Sequence, residues 1–234
     1  MSDRRSDPPR QLPLDLGHGT GYSRDELVVS GTNAQAAALV DRWPDWPSPV
    51  VVLAGPPGSG KTHLARIWQA HADAVAIDTA RIGEHIAGLG ASPALIDDID
   101  KGPIDEQGLF HLINAVRGAG STLMLTARRF PSAWRVGLPD LISRLKAAAT
   151  VEIHEPDDLL LAGVITKLFA DRQVEVEPHV VQYLVRRIER SLATAMRVVE
   201  RLDRAALERK TPITRALAAE TVGAMDEGQR EFDI

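Results

Sequence analysis

The sequence predicts an α/β fold built on a parallel β-sheet, followed by a smaller helical region. Short apolar runs that do not alternate with polar residues recur between positions 50 and 153, which is typical of strands buried on both faces. Helical patterns separate these runs, as expected when crossover helices cover both faces of a sheet. After Pro156 the strand signal stops and only helical periodicity continues. We therefore expect a small helical domain to follow the α/β domain in the sequence.

The elements follow one another in a regular order. An Ala-rich amphipathic helix is predicted to start after Asn33, a suitable cap, and to stop at the proline-rich WPDWPSP. The α/β region then reads, in order, as the strand PVVVLAG, the helix KTHLARIWQAH, the strands AVAID and PALIDDID, the helix EQGLFHLINAVRGAG, and the strands TLMLTA and ATVEIHE. Four helices complete the chain, in the segments DDLLLAGVITKLFADRQ, PHVVQYLVRRIE, SLATAMRVVERLDRAALERK and TRALAAETVGAM.

These elements divide the chain into four parts. Residues 1–22 are polar and rich in proline and glycine, so we expect a flexible tail there. Residues 23–155 form the predicted α/β domain, 156–225 the helical domain, and 226–234 an acidic C-terminal tail. The two domains suit a length of 234 residues.

The composition argues against some classes of function and indicates a cellular compartment. The formal net charge is −5, which argues against strong DNA binding by this chain alone, because such affinity comes largely from neutralising phosphates. No run of about 18 apolar residues exists and the N-terminus lacks a secretory signal, so we expect no membrane association and a cytoplasmic protein. The absence of cysteine fits that compartment.

A phosphate-binding loop is the strongest motif in the sequence. The segment GPPGSGKT matches G-x-x-x-x-G-K-[ST], follows an apolar strand and opens a helix. Its glycines allow several backbone N–H groups to face one anion, and an unpaired lysine in such a loop would have no packing purpose. We predict that it binds ATP or ADP, with Lys61 at the terminal phosphates and Thr62 on Mg²⁺. The predicted ligand-binding residues are Gly55, Pro56, Pro57, Gly58, Ser59, Gly60, Lys61 and Thr62.

Two acids follow the strand in PALIDDID. Asp97 and Asp98 end a predicted strand of the same sheet, where they would lie beside the phosphates. Asp97 suits a role at Mg²⁺, and Asp98 suits polarisation of an attacking water. The alternative is that these acids only cap a helix or face solvent in a turn.

These motifs, together with LMLTARRFPSAW, LISRLKAAATVEI and RSLATAMRVVERLDRAAL, resemble the AAA+ module of the bacterial replication initiator DnaA over about residues 23–225. The resemblance implies a five-stranded parallel sheet and a helical lid, with nucleotide between them. It also implies roles for two arginines. Arg144 matches the arginine finger that acts in trans on a neighbouring nucleotide, and Arg190 matches the lid arginine that senses nucleotide.

Within this family the chain resembles the regulatory Hda branch. It ends about ten residues beyond the lid, without the basic DNA-binding domain of an initiator, and it begins with a short tail. The resemblance implies two partners, the β subunit of the DNA polymerase sliding clamp and the DnaA initiator. The clamp-binding peptide corresponds to QLPLDL, with Gln11, Leu12, Leu14, Asp15 and Leu16.

The physics of a short extended peptide agrees with this implication. Leu14 and Leu16 could enter an apolar groove while Gln11 anchors one end and Pro13 lowers the entropy lost on binding. The alternative is that the leucines fold back onto the module's own surface.

Two functions remain from the sequence. One is a switch that docks on the clamp and promotes hydrolysis of initiator-bound ATP through Arg144; the other is an AAA+ ATPase that loads a helicase or acts in transposition. Asp98 stands where active AAA+ ATPases have Glu, so we expect slow intrinsic hydrolysis at most. After the fourth strand, Thr126 is followed by Arg128 and Arg129, where related sequences have a polar or acidic sensor. The sequence does not decide whether the protein forms a homo-oligomer.

Overall fold

The structure is a computed structural model that describes residues 23–230. The predicted clamp peptide, residues 11–16, lies outside the described residues. No helix in the described part is long and apolar enough to cross a membrane.

The α/β part is built on a five-stranded sheet with the order β2-β3-β4-β1-β5, in which all pairings are parallel. All five predicted strands are confirmed. The central strands β1 and β4 are buried along their whole length, because helices cover both faces of the sheet. The strands are β1 Val50–Ala54, β2 Val75–Ala76, β3 Ala94–Ile96, β4 Leu123–Ala127 and β5 Ala149–Glu152.

Each face of the sheet has its own hydrophobic core. Alternate residues of β1 point to opposite faces, so Val50 and Val52 join one core and Val51 and Leu53 the other. The first core lies against α3, α4 and α5, and the second against α1 and α2. These helices are α1 Ala34–Asp41, α2 Lys61–Ala72, α3 Ile82–Leu89, α4 Glu106–Gly118 and α5 Pro139–Lys146.

The four predicted C-terminal helices are present and form a separate core around Phe169 and Leu184. They are α6 Asp158–Asp171, α7 Pro178–Val185, α8 Leu192–Arg209 and α9 Arg215–Arg230. We call this four-helix region the lid. A side chain at Gly163 of α6 would approach Val28 to within 2.8 Å, so the lid packs directly on the segment that precedes α1.

Two details differ from the sequence-based expectations. Helix α1 begins immediately after Asn33, but the Asn33 side chain does not cap it; Oδ1 accepts from Ser30 N–H and Nδ2 donates to the Val28 carbonyl. The helices α3 and α5 were not predicted as separate elements, and both are short.

Candidate functional site

The phosphate loop connects β1 to α2 and begins in a crowded position. The N–H of Gly55 donates to the Ala127 carbonyl at 3.1 Å, which ties the loop to the end of β4. A Cβ at Gly55 would lie 2.2 Å from the Ile153 carbonyl oxygen, a contact that no side chain can make. The glycine is therefore required by the close approach of β5's continuation.

The middle of the loop presents backbone donors. Gly58 and Gly60 have φ angles of 74° and 99°, in the left-handed region that favours glycine. Within residues 23–230, the N–H groups of Gly58, Gly60, Lys61 and Thr62 donate no hydrogen bond to the protein. Unpaired donors at a helix N-terminus form the kind of site that binds phosphate.

Lys61 is held inside the loop. Its side chain is largely buried, with the residue 5% exposed, and Nζ donates to the carbonyls of Gly55 and Pro56 at 2.8 Å each. The lysine therefore has partners of its own within the loop, two backbone carbonyls that the sequence did not indicate. Burial lowers the pKa of Lys61, because desolvation disfavours its charged form.

The two predicted acids lie at the same edge of the sheet as the loop, and β4 separates their strand, β3, from β1. Thr62 Oγ1 donates to the Asp97 carboxylate, 3.1 Å from either oxygen. Thr126, which is fully buried on β4, donates to Asp97 Oδ1 at 2.5 Å and accepts from the Asp98 N–H at 2.7 Å. One hydroxyl thus fixes both acids, a role for Thr126 that the sequence did not reveal.

The donor set at Thr62 and Asp97 fits Mg²⁺. Magnesium prefers oxygen ligands and is bound in proteins through one or two carboxylates together with phosphate oxygens and water. A hydroxyl and a carboxylate at 3.1 Å from each other, beside a phosphate loop, provide such ligands.

Asp98 remains available for chemistry. Its φ of 53° is unusual for a residue other than glycine, and such strained residues cluster at functional sites. Its side chain forms no hydrogen bond or ion pair with any residue from 23 to 230, and its negative charge partly offsets the lowering of the Lys61 pKa by burial.

Asp100 is a further acid at this edge of the sheet, and no pattern in the sequence distinguishes it from the other acids. Its side chain is only 3% exposed. Its two carboxylate oxygens accept the backbone N–H groups of Arg128 and Arg129, at 2.8 and 3.1 Å. Asp100 therefore fixes the turn that follows β4.

Arg144 lies in the last turn of α5. Its neighbours Leu141 and Leu145 are buried in the core, whereas Arg144 is partly exposed. In the described part of the chain its guanidinium has no hydrogen-bond or ion-pair partner. Such an arginine could reach a group on another molecule.

Arg190 stands where the lid joins the α/β part. Its guanidinium binds Asp158 at 2.8 Å and the Pro156 carbonyl at 3.3 Å, and the side chain is 53% exposed. Directly after it, the Leu192 N–H donates to the Gly58 carbonyl at 2.8 Å. The lid thus contacts the phosphate loop through the start of α8, a contact that we did not predict.

The tryptophans before β1 do not belong to this site. Trp43 Nε1 donates to Thr122, which precedes β4, and Trp46 stacks on Trp68 of α2 with ring centroids 5.0 Å apart. Thr122 lies at the N-terminal edge of the sheet, whereas the phosphate loop follows β1 at the opposite, C-terminal edge. Both tryptophans therefore pack against the second core of the α/β part.

Comparisons with known proteins agree with this architecture. A family model described as the lid domain of Hda matches residues 164–220. DnaA of Sphingopyxis alaskensis is 31% identical over 216 residues, which cover 79% of this chain and 47% of that initiator. An uncharacterized protein of Haemophilus influenzae is 25% identical over 220 residues, covering 88% of this chain and 95% of that protein. The chain spans about half the length of the initiator that it matches.

Solved structures show the same fold. Domain III of DnaA from Thermotoga maritima superposes with a TM-score of 0.73 at 18% identity, over 92% of this chain and 98% of that one. DnaA from Aquifex aeolicus bound to AMPPCP gives a TM-score of 0.69 at 16% identity, over 90% and 70% of the two chains. The predicted fold, an AAA+ P-loop sheet with a helical lid, is confirmed.

Proposed function

Since this chain is an Hda/DnaA-related AAA+ protein, we propose that it is a nucleotide-bound regulator that docks on the sliding clamp and promotes hydrolysis of initiator-bound ATP. The proposal is carried by the combination of a preformed phosphate loop with Arg144 of α5, an arginine whose guanidinium has no hydrogen-bond or ion-pair partner among residues 23–230.

Nucleotide binding is supported by the loop itself. Four backbone N–H groups that donate nothing within the described residues can receive the phosphates, and Lys61 lies beside them. To reach a terminal phosphate, Nζ must leave the carbonyls of Gly55 and Pro56. An anion would compensate that exchange, because charge-assisted hydrogen bonds are stronger than neutral ones. The DnaA of Aquifex aeolicus binds AMPPCP on a similar fold.

The acid side of the site supports Mg²⁺ binding and slow hydrolysis. When bound, Mg²⁺ would neutralise charge on the phosphates, held by Thr62 and Asp97. Asp98, whose carboxylate has no hydrogen-bond or ion-pair partner among residues 23–230, would orient the attacking water. Its side chain is one methylene shorter than Glu, and Thr126 already uses its hydroxyl to hold the two acids. We therefore propose that intrinsic turnover is slow.

Action on a partner is supported by Arg144. A cation brought to a transferring phosphoryl group stabilises the charge that develops there, an effect worth roughly 10³–10⁵ in rate. Docking on the clamp through Leu14 and Leu16 would raise the local concentration of Arg144 near initiator bound to the same DNA. The chain's relation to DnaA supports the initiator as that partner.

A single hydrolysis assay tests the proposal. ATP bound to purified DnaA is followed in the presence of clamp loaded on DNA, with and without this protein. We expect stimulation by the natural chain and a loss of at least about 100-fold for Arg144→Ala. Lys146→Ala, a change of an exposed cation on the same helix α5, is the matched control and should keep stimulation.

The docking step is tested in the same assay. Leu14→Ala with Leu16→Ala should abolish stimulation and co-elution with the clamp. The matched double change Leu159→Ala with Leu207→Ala, at two leucines that are 70% and 58% exposed, should preserve both. Rapid ATP turnover by this protein alone, with no effect on DnaA, would instead favour an independent AAA+ loader.

A further inference from the structure

Two connecting segments leave the candidate site from neighbouring strands, and the second of them leads to Arg144. The first segment, residues 97–106, follows β3 and ends at the first residue of α4, and the second segment, residues 128–138, joins β4 to α5. Because β3 and β4 pair with each other in parallel, both segments start at the same edge of the sheet. Helix α5 carries Arg144 in its last turn, so the position of this arginine depends on how the second segment is held.

Acidic side chains of the first segment hold the second segment at both of its ends. Asp100 accepts the first two backbone N–H groups of the second segment, at 2.8 and 3.1 Å. Glu106 accepts the last two. The N–H of Gly137 lies 2.9 and 3.0 Å from the two carboxylate oxygens of Glu106, and the N–H of Leu138 lies 2.7 Å from one of them. The start of α5 is therefore attached to the start of α4 through one carboxylate.

The contact with Glu106 supplies what the start of α5 lacks. The cap residue of this helix, Leu138, has no side-chain acceptor for a backbone N–H, and the next residue, Pro139, has no N–H to donate. A helix of only 8 residues is not stable in water by itself. A carboxylate at its N-terminus also complements the helix dipole. Glu106 thus stabilises the N-terminal end of α5 from outside the helix.

The rest of α5 is held by contacts that have no preferred direction. Leu141 and Leu145 are buried in the first core, and Arg144 lies one residue before the second of these leucines. Apolar contacts are not directional, so one stripe of leucines would allow the helix to tilt or slide on the core. Hydrogen bonds have a preferred distance and angle. The bonds to Glu106 therefore fix where the helix starts, and with it where Arg144 lies.

From this geometry, and resting on the action of Arg144 proposed above, we propose that Glu106 is a positioning residue for that arginine. Glu106 holds the start of α5 in the place from which Arg144 reaches the nucleotide of the neighbouring molecule. It does not touch that nucleotide and acts only through the helix. A group displaced by about 1 Å can lose on the order of 100-fold in rate, because catalysis depends on close alignment with the reacting atoms.

Hydrolysis of DnaA-bound ATP, measured over a range of concentrations of this protein in the presence of loaded clamp, tests this inference. We expect Glu106→Ala to lower the maximal rate by about 10- to 100-fold. The concentration that gives half of the maximal stimulation should stay the same, because the docking peptide is unchanged. Glu106→Gln keeps one acceptor oxygen and should recover part of the maximal rate. Asp140→Asn is the matched control, since it removes an exposed acid from the first turn of α5, and its rate should stay within about 2-fold.

Hydrogen exchange in the protein alone shows whether the loss of rate comes from α5. We expect Glu106→Ala to speed the exchange of the Gly137 and Leu138 amides by about 10-fold, because each loses a hydrogen bond to a carboxylate. The central strands β1 and β4 should remain protected.

Several results would overturn the role of Glu106. An unchanged maximal rate in Glu106→Ala, with or without faster exchange at α5, would do so. A loss that appears only as a higher half-maximal concentration would point to less folded protein and not to a misplaced arginine. In these cases the proposed function would stand if Arg144→Ala still removed stimulation. If the natural protein gave no stimulation, the proposed function and this inference would fail together.

Discussion

The phosphate loop is held in different ways on its two sides. On the sheet side, the fully buried Thr126 binds Asp97 and the N–H of Asp98, and Asp97 also accepts from Thr62. On the lid side, the loop is joined by a hydrogen bond from Leu192 N–H to the Gly58 carbonyl. A buried network resists change, whereas a contact built on few bonds can open at low cost. The acids are therefore preset by the sheet, and the lid is the part that a ligand can move.

We expect the largest loss of stability when the hydroxyl of Thr126, on the sheet side of the loop, is removed. Thr126→Val keeps the shape but leaves the Asp98 N–H without its acceptor and leaves the Asp97 carboxylate with only its hydrogen bond from Thr62. We expect a loss of about 2–3 kcal/mol in the free energy of unfolding, measured with urea. Thr126→Ser keeps the hydroxyl and is the matched control. A Ser variant less stable than the Val variant would contradict the importance of the network.

We expect a smaller loss of stability when a side chain is placed between the phosphate loop and the lid. A Cβ at Gly58 would meet Ser191 Oγ at 2.1 Å and its Cβ at 2.9 Å, and φ at Gly58 is 74°. Gly58→Ala should lower the free energy of unfolding by about 1–3 kcal/mol and increase hydrogen exchange in α8, with β1 and β4 still protected.

Two further variants sharpen this result. Adding Ser191→Gly removes the clash and should return part of the lost stability, leaving the cost of the φ angle and a few tenths of a kcal/mol, about the cost of replacing the Ser191 cap of α8 by glycine. Gly31→Ala is the control, because a Cβ there meets nothing within 4 Å. Faster exchange in the central strands, to the same extent as in α8, would mean that loop and lid do not move separately.

The smallest effect on stability is expected at Arg190. Its ion pair with Asp158 joins two side chains that are 53% and 65% exposed, so Arg190→Ala should cost at most about 1 kcal/mol. Nucleotide affinity should nevertheless fall if this arginine turns towards bound phosphates, as the sequence resemblance predicts. Asp158→Asn separates the two roles, because it breaks the ion pair and keeps Arg190. An equal loss of affinity in that variant would assign the effect to the ion pair and not to a contact of Arg190 with phosphate.

Much of the fold could be predicted from the sequence because most of its strands are purely apolar and most of its helices are long. The run VVVLA could only be a buried strand, and α8 shows its periodicity over 18 residues. Helix α3 escaped notice because it is short and contains Gly83 and Gly88, which weaken helical propensity; its packing against α4 stabilises it instead.

The site was readable in part. The motif residues of the loop and the pair Asp97 and Asp98 are recognisable by spacing, since parallel strands bring their C-terminal ends together. The roles of Thr126 and Asp100 were not, because they depend on the register in which Leu125 pairs with Ile96. No local pattern encodes that register. The contact of Leu192 with Gly58 likewise joins residues that are distant in the sequence.

The packing of Val28 against Gly163 has a mechanical consequence for docking. Arg24 also binds Asp41 through two hydrogen bonds, so the chain is anchored to α1 and to the lid within a few residues of Ser23. An extended chain spans at most about 3.5 Å per residue, and Leu16 is therefore never more than about 25 Å from Ser23. A clamp that bound Leu16 would hold Ser23 within that distance of its surface. The protein could then change its orientation over the neighbouring DNA but could not move far from it.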